Sequence, residues 1–348
     1  MRSTLIVLAV WWLCSGVAVA VPVAGLFEAT APVADRTEPV RRAASRVALG
    51  KVLVKVTGDR GSVRLPATAS MLQSPDRFVQ QYFYERPGPE RRAAAGDGIA
   101  VRFQFDARML ADALRAAGVP VWGSERPKTL LWLALQPVGG ASGLVGVEDH
   151  NPLVALASAQ VEARGIPIIL PLLDLDERQL VSLDAVRRGE LTQVLQASSR
   201  YGVEAVLVGD LRETSPGLWQ AQWYLLANGA QSGWSSLGED SALLVDEAIN
   251  LTADGLAQRY AAAATQSADT VAITLAQIHS VRDYARALAY LESLAPVARI
   301  EIAGVERDQV ALRLAVRGGL TELTQTVMLG RVLQSVPERP ELLRLIPE

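Results

Sequence analysis

The chain has 348 residues, a formal net charge of −3 and 50% apolar residues. That length allows two or three domains. The composition is that of a globular protein, too apolar for a disordered tail and too evenly charged for a nucleic-acid binder. The first twenty residues stand apart. Arg2 gives a positive start, residues 5–13 form an apolar run, and Ala18, Val19 and Ala20 supply small residues at the cleavage-determining positions. The pattern predicts a secretory signal peptide over residues 1–20, cleaved after Ala20. The apolar run is short for a membrane span, and nothing later is long enough to cross, so the mature chain is expected to have no transmembrane segment. The only cysteine, Cys14, lies inside the leader. The mature chain then carries neither disulfide nor thiol. Lipidation at Cys14 is disfavoured, because Leu13 stands where that signal wants a small residue. The expected compartment is the periplasm.

In the mature chain, residues 26–33 alternate loosely and read as an edge strand. Asp35 or Thr37 is placed to cap an amphipathic helix over 39–56. Its apolar side holds Val40, Ala44, Val47, Ala48 and Leu53. Arg41, Arg42, Arg46, Lys51 and Lys55 gather largely on the other side, which reads as a solvated face. A turn over 57–61 and a short helix over 66–73 follow. Residues 78–84 are rich in strand formers, and residues 99–105 alternate at strict period two. With the polar loop 87–98 between them they predict an antiparallel hairpin. Asp106 then caps a helix over 107–117, closed by Gly118. Residues 24–123 thus form a small α+β unit.

Residues 128–264 read as a central three-layer α/β unit. Strands are predicted over 130–135, 166–173 and 204–209, with helices over 152–164 and 185–201 between them. Asn151 followed by Pro152 is a good helix start, and Gly165 and Gly202 mark the helix ends. Strand–helix–strand order favours a parallel sheet, although Pro167 and Pro171 weaken the second strand. Residues 218–227 and 232–237 predict an antiparallel hairpin on the sheet edge. A long helix over 241–264 follows, then a linker over 265–268. The last unit, residues 269–336, reads as strand (270–276), helix (281–294), strand (298–305), strand (309–317) and helix (320–334), a ferredoxin-like βαββα. Residues 337–348 read as a frayed end.

No catalytic signature is present. The chain has two histidines, His150 and His279, and no H-E-x-x-H, cysteine cluster, calcium-loop pattern or G-x-S-x-G elbow. The glycine-rich residues 138–143 lack the lysine of a phosphate-binding loop. Two constellations remain. If the central strands are parallel, the loops leaving their carboxyl ends share one sheet edge, where ligands of open α/β sheets bind. Those loops carry Glu148, Asp149 and His150, then Asp174, Asp176 and Glu177, then Asp210. Such a group could hold a divalent cation or a basic ligand; turn capping by Asp174 and Asp210 is the plainer role. The second constellation is Trp219, Trp223 and Trp234 in the edge hairpin. Exposed, they would make a partner surface; buried, they would pack under the long helix. No cofactor is implied.

KVLVKVTG (51–58), FVQQYFY (78–84), GVPVWG (118–123), PKTLLWLAL (127–135), PLLDLD (171–176), YGVEAVLVG (201–209) and DYARALAYLES (283–293) occur in that order. In these motifs the mature chain resembles the proteobacterial exported domain-of-unknown-function family 2066. Its central part is also similar to the α/β domains of Tol-system and cell-wall-synthase-activator envelope proteins. Those relatives act through protein contacts. The resemblance implies an exported, non-catalytic binding or scaffolding component of the cell envelope, with envelope proteins as partners and no nucleic acid. The competing readings are a hydrolase or metal-dependent enzyme on the acidic edge, and a carrier of a small envelope ligand. The carrier reading predicts a sizeable cavity between units.

Overall fold

A computed structural model describes residues 23, 25–86, 99–227, 229–261 and 268–347. The expected signal peptide with Cys14, the loop 87–98, and residues 262–267 at the end of the long helix and in the linker lie outside the described residues. Three sheets with helices packed on them give the mixed α/β and α+β class expected.

The first sheet joins β1 (Glu28–Val33), β2 (Val79–Glu85) and β3 (Ile99–Phe105) antiparallel, with β3 in the middle. Helices α1 (Glu38–Thr57), α2 (Pro66–Gln73) and α3 (Ala107–Ala116) gather on one side. The period of β3 sends Val101, Phe103 and Phe105 into that core, where all are at most 1% exposed. Asp106 caps α3 as expected, accepting from Met109 N at 2.8 Å. Thr37 is the N-cap residue of α1, but its side chain makes no capping bond; Asp35 instead accepts from Thr37 N.

In β1, Ala29, Ala31 and Val33 are buried toward the helices. Phe27 O is bonded to Phe105 N, so alternate residues turn their backbone groups toward β3. Glu28, Thr30 and Pro32 therefore turn theirs to the outer edge, and their side chains lie on the helix-free face.

The second sheet runs β5 (Gly143–Val145), β4 (Thr129–Gln136), β7 (Ala205–Ser215), β8 (Leu218–Ala227), β9 (Ala230–Gly238). β4 and β7 are parallel, and β7, β8 and β9 form the antiparallel edge expected. Helix α4 (Pro152–Arg164) and the long helix α8 (Ser241–Ala261) cover one face. The short helices α5 (Leu175–Leu180), α6 (Leu183–Arg187) and α7 (Leu191–Ser198) cover the other. Two expectations need correction here. The strand over 166–173 shrinks to β6 (Ile168–Ile169), paired with the start of β4. Pro167 and Pro171 donate nothing to a ladder, although their carbonyls still accept from Thr129 N and Val147 N. The single helix over 185–201 is broken, because Gly189 adopts φ +66° between α6 and α7.

The third sheet has the order β11 (Val297–Glu306), β12 (Gln309–Arg317), β10 (Ala268–Ala276), β14 (Arg339–Leu345), β13 (Leu333–Val336). Helices α9 (Val281–Ser293) and α10 (Gly319–Leu329) pack on it. The βαββα arrangement is as read. The tail is not frayed: β13 and β14 form a hairpin, and β14 lies parallel beside β10. The last helix stops at Leu329, and Leu333, Leu343 and Leu345 fill the core.

Candidate functional site

The acidic edge does not assemble into a cluster. Asp149 Oδ2 accepts from Gly146 N at 2.7 Å and closes its own turn, while His150 is exposed. Asp174 caps α5 through Glu177 N and pairs with Arg200 at 2.6 Å. Those bonds hold its carboxyl below the usual range. Asp176 is exposed in the first turn of α5. Asp210 is buried, takes Gln136 Nε2 at 2.5 Å and pairs with Arg212 at 3.1 Å. Glu177, 1% exposed, accepts from Leu173 N at 2.6 Å and from the Tyr201 hydroxyl. It steadies Leu173, whose φ of +53° is rare for a branched residue. Among the described residues, no three His, Cys, Asp or Glu side chains are grouped so as to hold a metal ion.

The tryptophans turn inward, which corrects the expectation of an aromatic partner surface. Trp223 is 0% exposed and its indole nitrogen donates to Ser236 Oγ at 3.1 Å. Trp234 stacks on it with centroids 6.4 Å apart, and Trp219 and Trp234 pack half-buried on the core under α4 and α8. Gly209 of β7 leaves room for the Trp223 ring, which a Cβ there would overlap.

A concave feature lies between the first and second sheets. Two depressions of about 590 Å³ each run along β1, bounded by α1 and α4. They share Ala29, Thr30, Lys55 and Glu162, so they form one groove. Each depression has a volume in the range of small-ligand sites. Pro32, Val54, Ala100, Ala159 and Ala163 give the walls small apolar stretches, set among charged and amide side chains such as Lys51, Glu85, Gln160 and Glu162. Its far end reaches Leu26, Val161 and Pro167.

Lysines close the outer edge of β1. Lys51 Nζ donates to Thr30 O at 2.8 Å, and Lys55 Nζ donates to Glu28 O at 2.7 Å and Gly25 O at 3.2 Å. Pro32 has no N–H to offer. These are common protections of a strand edge. Burial lowers the pKa of Lys55, an effect partly offset by Glu162 and Glu28. On the helix-free face Arg102 pairs with Glu85 at 3.1 Å.

Two arginines set the joint behind the groove. Arg126 is 0% exposed, lies over the Trp122 ring at 4.2 Å, and donates to the carbonyls of Lys55, Trp122, Gly123, Arg164 and Gly165. These include terminal carbonyls of α1 and α4, so the cation sits against two helix carboxyl ends. The other end carbonyls of α1 are also used: Gly58 N bonds Val54 O, and Trp122 N bonds Val56 O. Arg164, 3% exposed, bridges Gly58 O at 2.7 Å, Asn250 at 2.9 Å and Asp254. Arg60 crosses to α8 with a fork onto Glu247 at 2.7 and 3.1 Å.

The sequence placed Lys51 and Lys55 on a solvated helix face and gave Arg126 and Arg164 no role. The strict spacing of Lys51 and Lys55, four apart beside an edge strand carrying proline, was the available signal.

The profile of a domain of unknown function (DUF8605) matches residues 20–123. The match covers the first sheet with α1–α3 and the α1 and β1 walls of the groove; it does not carry the resemblance to family 2066. No curated protein matches the chain. No helix among the described residues is long and apolar enough to cross a membrane.

Proposed function

We propose that this chain is an exported periplasmic protein of the cell envelope that binds without catalysing, and that the groove between β1, α1 and α4 is its seat. The relation to exported family 2066 belongs to the same reading. The observation that carries it is the continuous groove at the joint of two units, whose walls include small apolar side chains. The groove favours carriage of a ligand over a purely scaffolding role. Its lining has hydroxyl, carboxylate and cationic groups but neither histidine nor cysteine, and its cations are engaged in edge capping and ion pairs. The leader-like residues 1–20 support export.

The test is a photo-crosslinking residue at Ala159, in the groove, against one at Val281, which is 85% exposed on α9. After illumination of intact cells, the Ala159 position should yield a defined adduct by mass spectrometry that the Val281 position does not. Equal labelling at both, or none at Ala159, removes the groove as a seat. Full-length protein in the cytosol with residues 1–20 attached removes the export reading.

A further inference from the structure

The chemistry of the groove narrows its occupant. We propose that it binds a single-chain amphiphile with an anionic head, a long-chain fatty acid, with the chain along the apolar wall and the carboxylate at Lys51 and Lys55. The inference rests on the groove being a binding seat and goes on to name what is bound.

Three observations support it. First, an extended peptide would seek the outer edge of β1, and that edge is closed. Pro32 has no N–H, and Lys55 and Lys51 occupy the carbonyls of Glu28 and Thr30. Strand addition, the usual way to hold a peptide on a sheet, is therefore disfavoured by the loss of these edge groups. Second, the wall between β1 and α4 offers the methyl and methylene groups of Pro32, Val54, Ala159 and Ala163, beside the charged and amide groups that share the lining. Such a wall holds an alkyl chain through burial of apolar area. The lysine stems extend it, with only their ammonium heads polar. Third, the charge suits an anion. Of the five basic side chains among the described residues lining the groove, Arg60, Arg102 and Arg164 pair with Glu247, Glu85 and Asp254, while Lys51 and Lys55 face only carbonyl oxygens in their hydrogen bonds. An ammonium has three donors. Lys51 gives one to Thr30 O, and Lys55 gives two, to Glu28 O and Gly25 O. Donors remain on both, four residues apart on one helix face. A carboxylate there would also offset the desolvation that lowers the Lys55 pKa.

The probe is dansyl-labelled undecanoic acid, read by fluorescence and displaced by palmitate, methyl palmitate or inorganic phosphate, with the full mature chain. Palmitate should displace the probe. Its methyl ester should do so at least about tenfold less well, because a charge-assisted hydrogen bond is lost. Lys51→Gln should weaken palmitate by about the same factor and Lys51→Arg should restore it. Ala159→Trp, at an exposed helix position, should abolish binding while leaving circular dichroism and the unfolding midpoint unchanged. Equal affinity for acid and ester would overturn the anionic head. Displacement by phosphate alone would overturn the chain. Binding that survives Ala159→Trp would overturn the seat. If no fatty acid binds yet cells give a defined adduct at residue 159, the fatty acid is wrong and the binding role stands. If both fail, both fall.

Discussion

Arg126→Met tests whether the joint behind the groove is held as described. The wild-type guanidinium satisfies five carbonyls, with no carboxylate paired to it among the described residues. Burial lowers its pKa, and Arg164 nearby adds to the effect. Five bonds to carbonyls and two helix ends work the other way and keep it charged. Methionine fills much of the space but leaves those carbonyls without a donor. At about 1 kcal/mol for each orphaned acceptor, five give roughly 5 kcal/mol, and water entering the joint recovers part of it. The expected loss is about 3–5 kcal/mol, or roughly two to three and a half powers of ten in the folding constant. Arg126→Lys should fall between, since an ammonium offers three donors and no flat face for Trp122. Urea unfolding followed by tryptophan fluorescence reads both. An Arg126→Met protein within about 1 kcal/mol of wild type would refute the reasoning.

Three further outcomes are expected. Burial pushes Glu125 up to about 7 from its ordinary 4.5, and its Oε2 has no hydrogen-bond partner among the described residues. The fold binds that proton more tightly than the unfolded chain, so this group's contribution is present below pH 4.5 and lost as pH rises toward 7. Glu125→Gln should flatten the decline of the urea midpoint across that window; unchanged slopes would count against it. Gly58 caps α1 at φ +73°, and a Cβ there would lie 2.5 Å from the Trp122 ring. Gly58→Ala should therefore cost about 2–4 kcal/mol, from left-handed strain and overpacking together, read as a lowered unfolding midpoint. Leu343 is 0% exposed in β14; Leu343→Ala should destabilise by about 2–5 kcal/mol, whereas a change of less than about 0.5 kcal/mol is what a frayed end would give.

Local pattern announced most elements. The strict alternation of β3 and β12, Asn151-Pro152 before α4 and Asp106 before α3 each act within a few residues, and each appears where the pattern placed it. Failures came where distant partners decide. Apolar spacing runs on through Leu183, Val186, Leu191 and Val194, all packed on one core, so it gave no hint of the break at Gly189. β14 begins Arg339-Pro340-Glu341, which reads as a loop; it becomes a strand because β10 offers an open edge. The acidic edge looked like a ligand site because turn capping and metal binding favour the same residue types. Asp149 and Asp174 use their oxygens on backbone N–H groups. The groove was illegible, since its walls meet only when Lys55 and Arg164 are brought to one arginine, Arg126.

That arginine also explains why the groove stays open. α1 and α4 are tied at their carboxyl ends, through Lys55 O on one side and Arg164 O and Gly165 O on the other. At the tie the approach is close: a Cβ on Gly165 would lie 2.7 Å from Leu26 and 2.9 Å from the guanidinium. Within the preceding turns, α4 presents Ala159 and Ala163 at one-turn spacing, and neither side chain is long enough to fill the gap to Pro32 and Val54. A leucine at either position would bury its apolar surface there and remove the depression at little structural cost, since both positions are exposed. The space is therefore a property of two alanines on a rigid frame. Ala163→Leu should stabilise the protein slightly while weakening whatever the groove holds, and a variant that lost stability instead would show the two helices to be already in contact there.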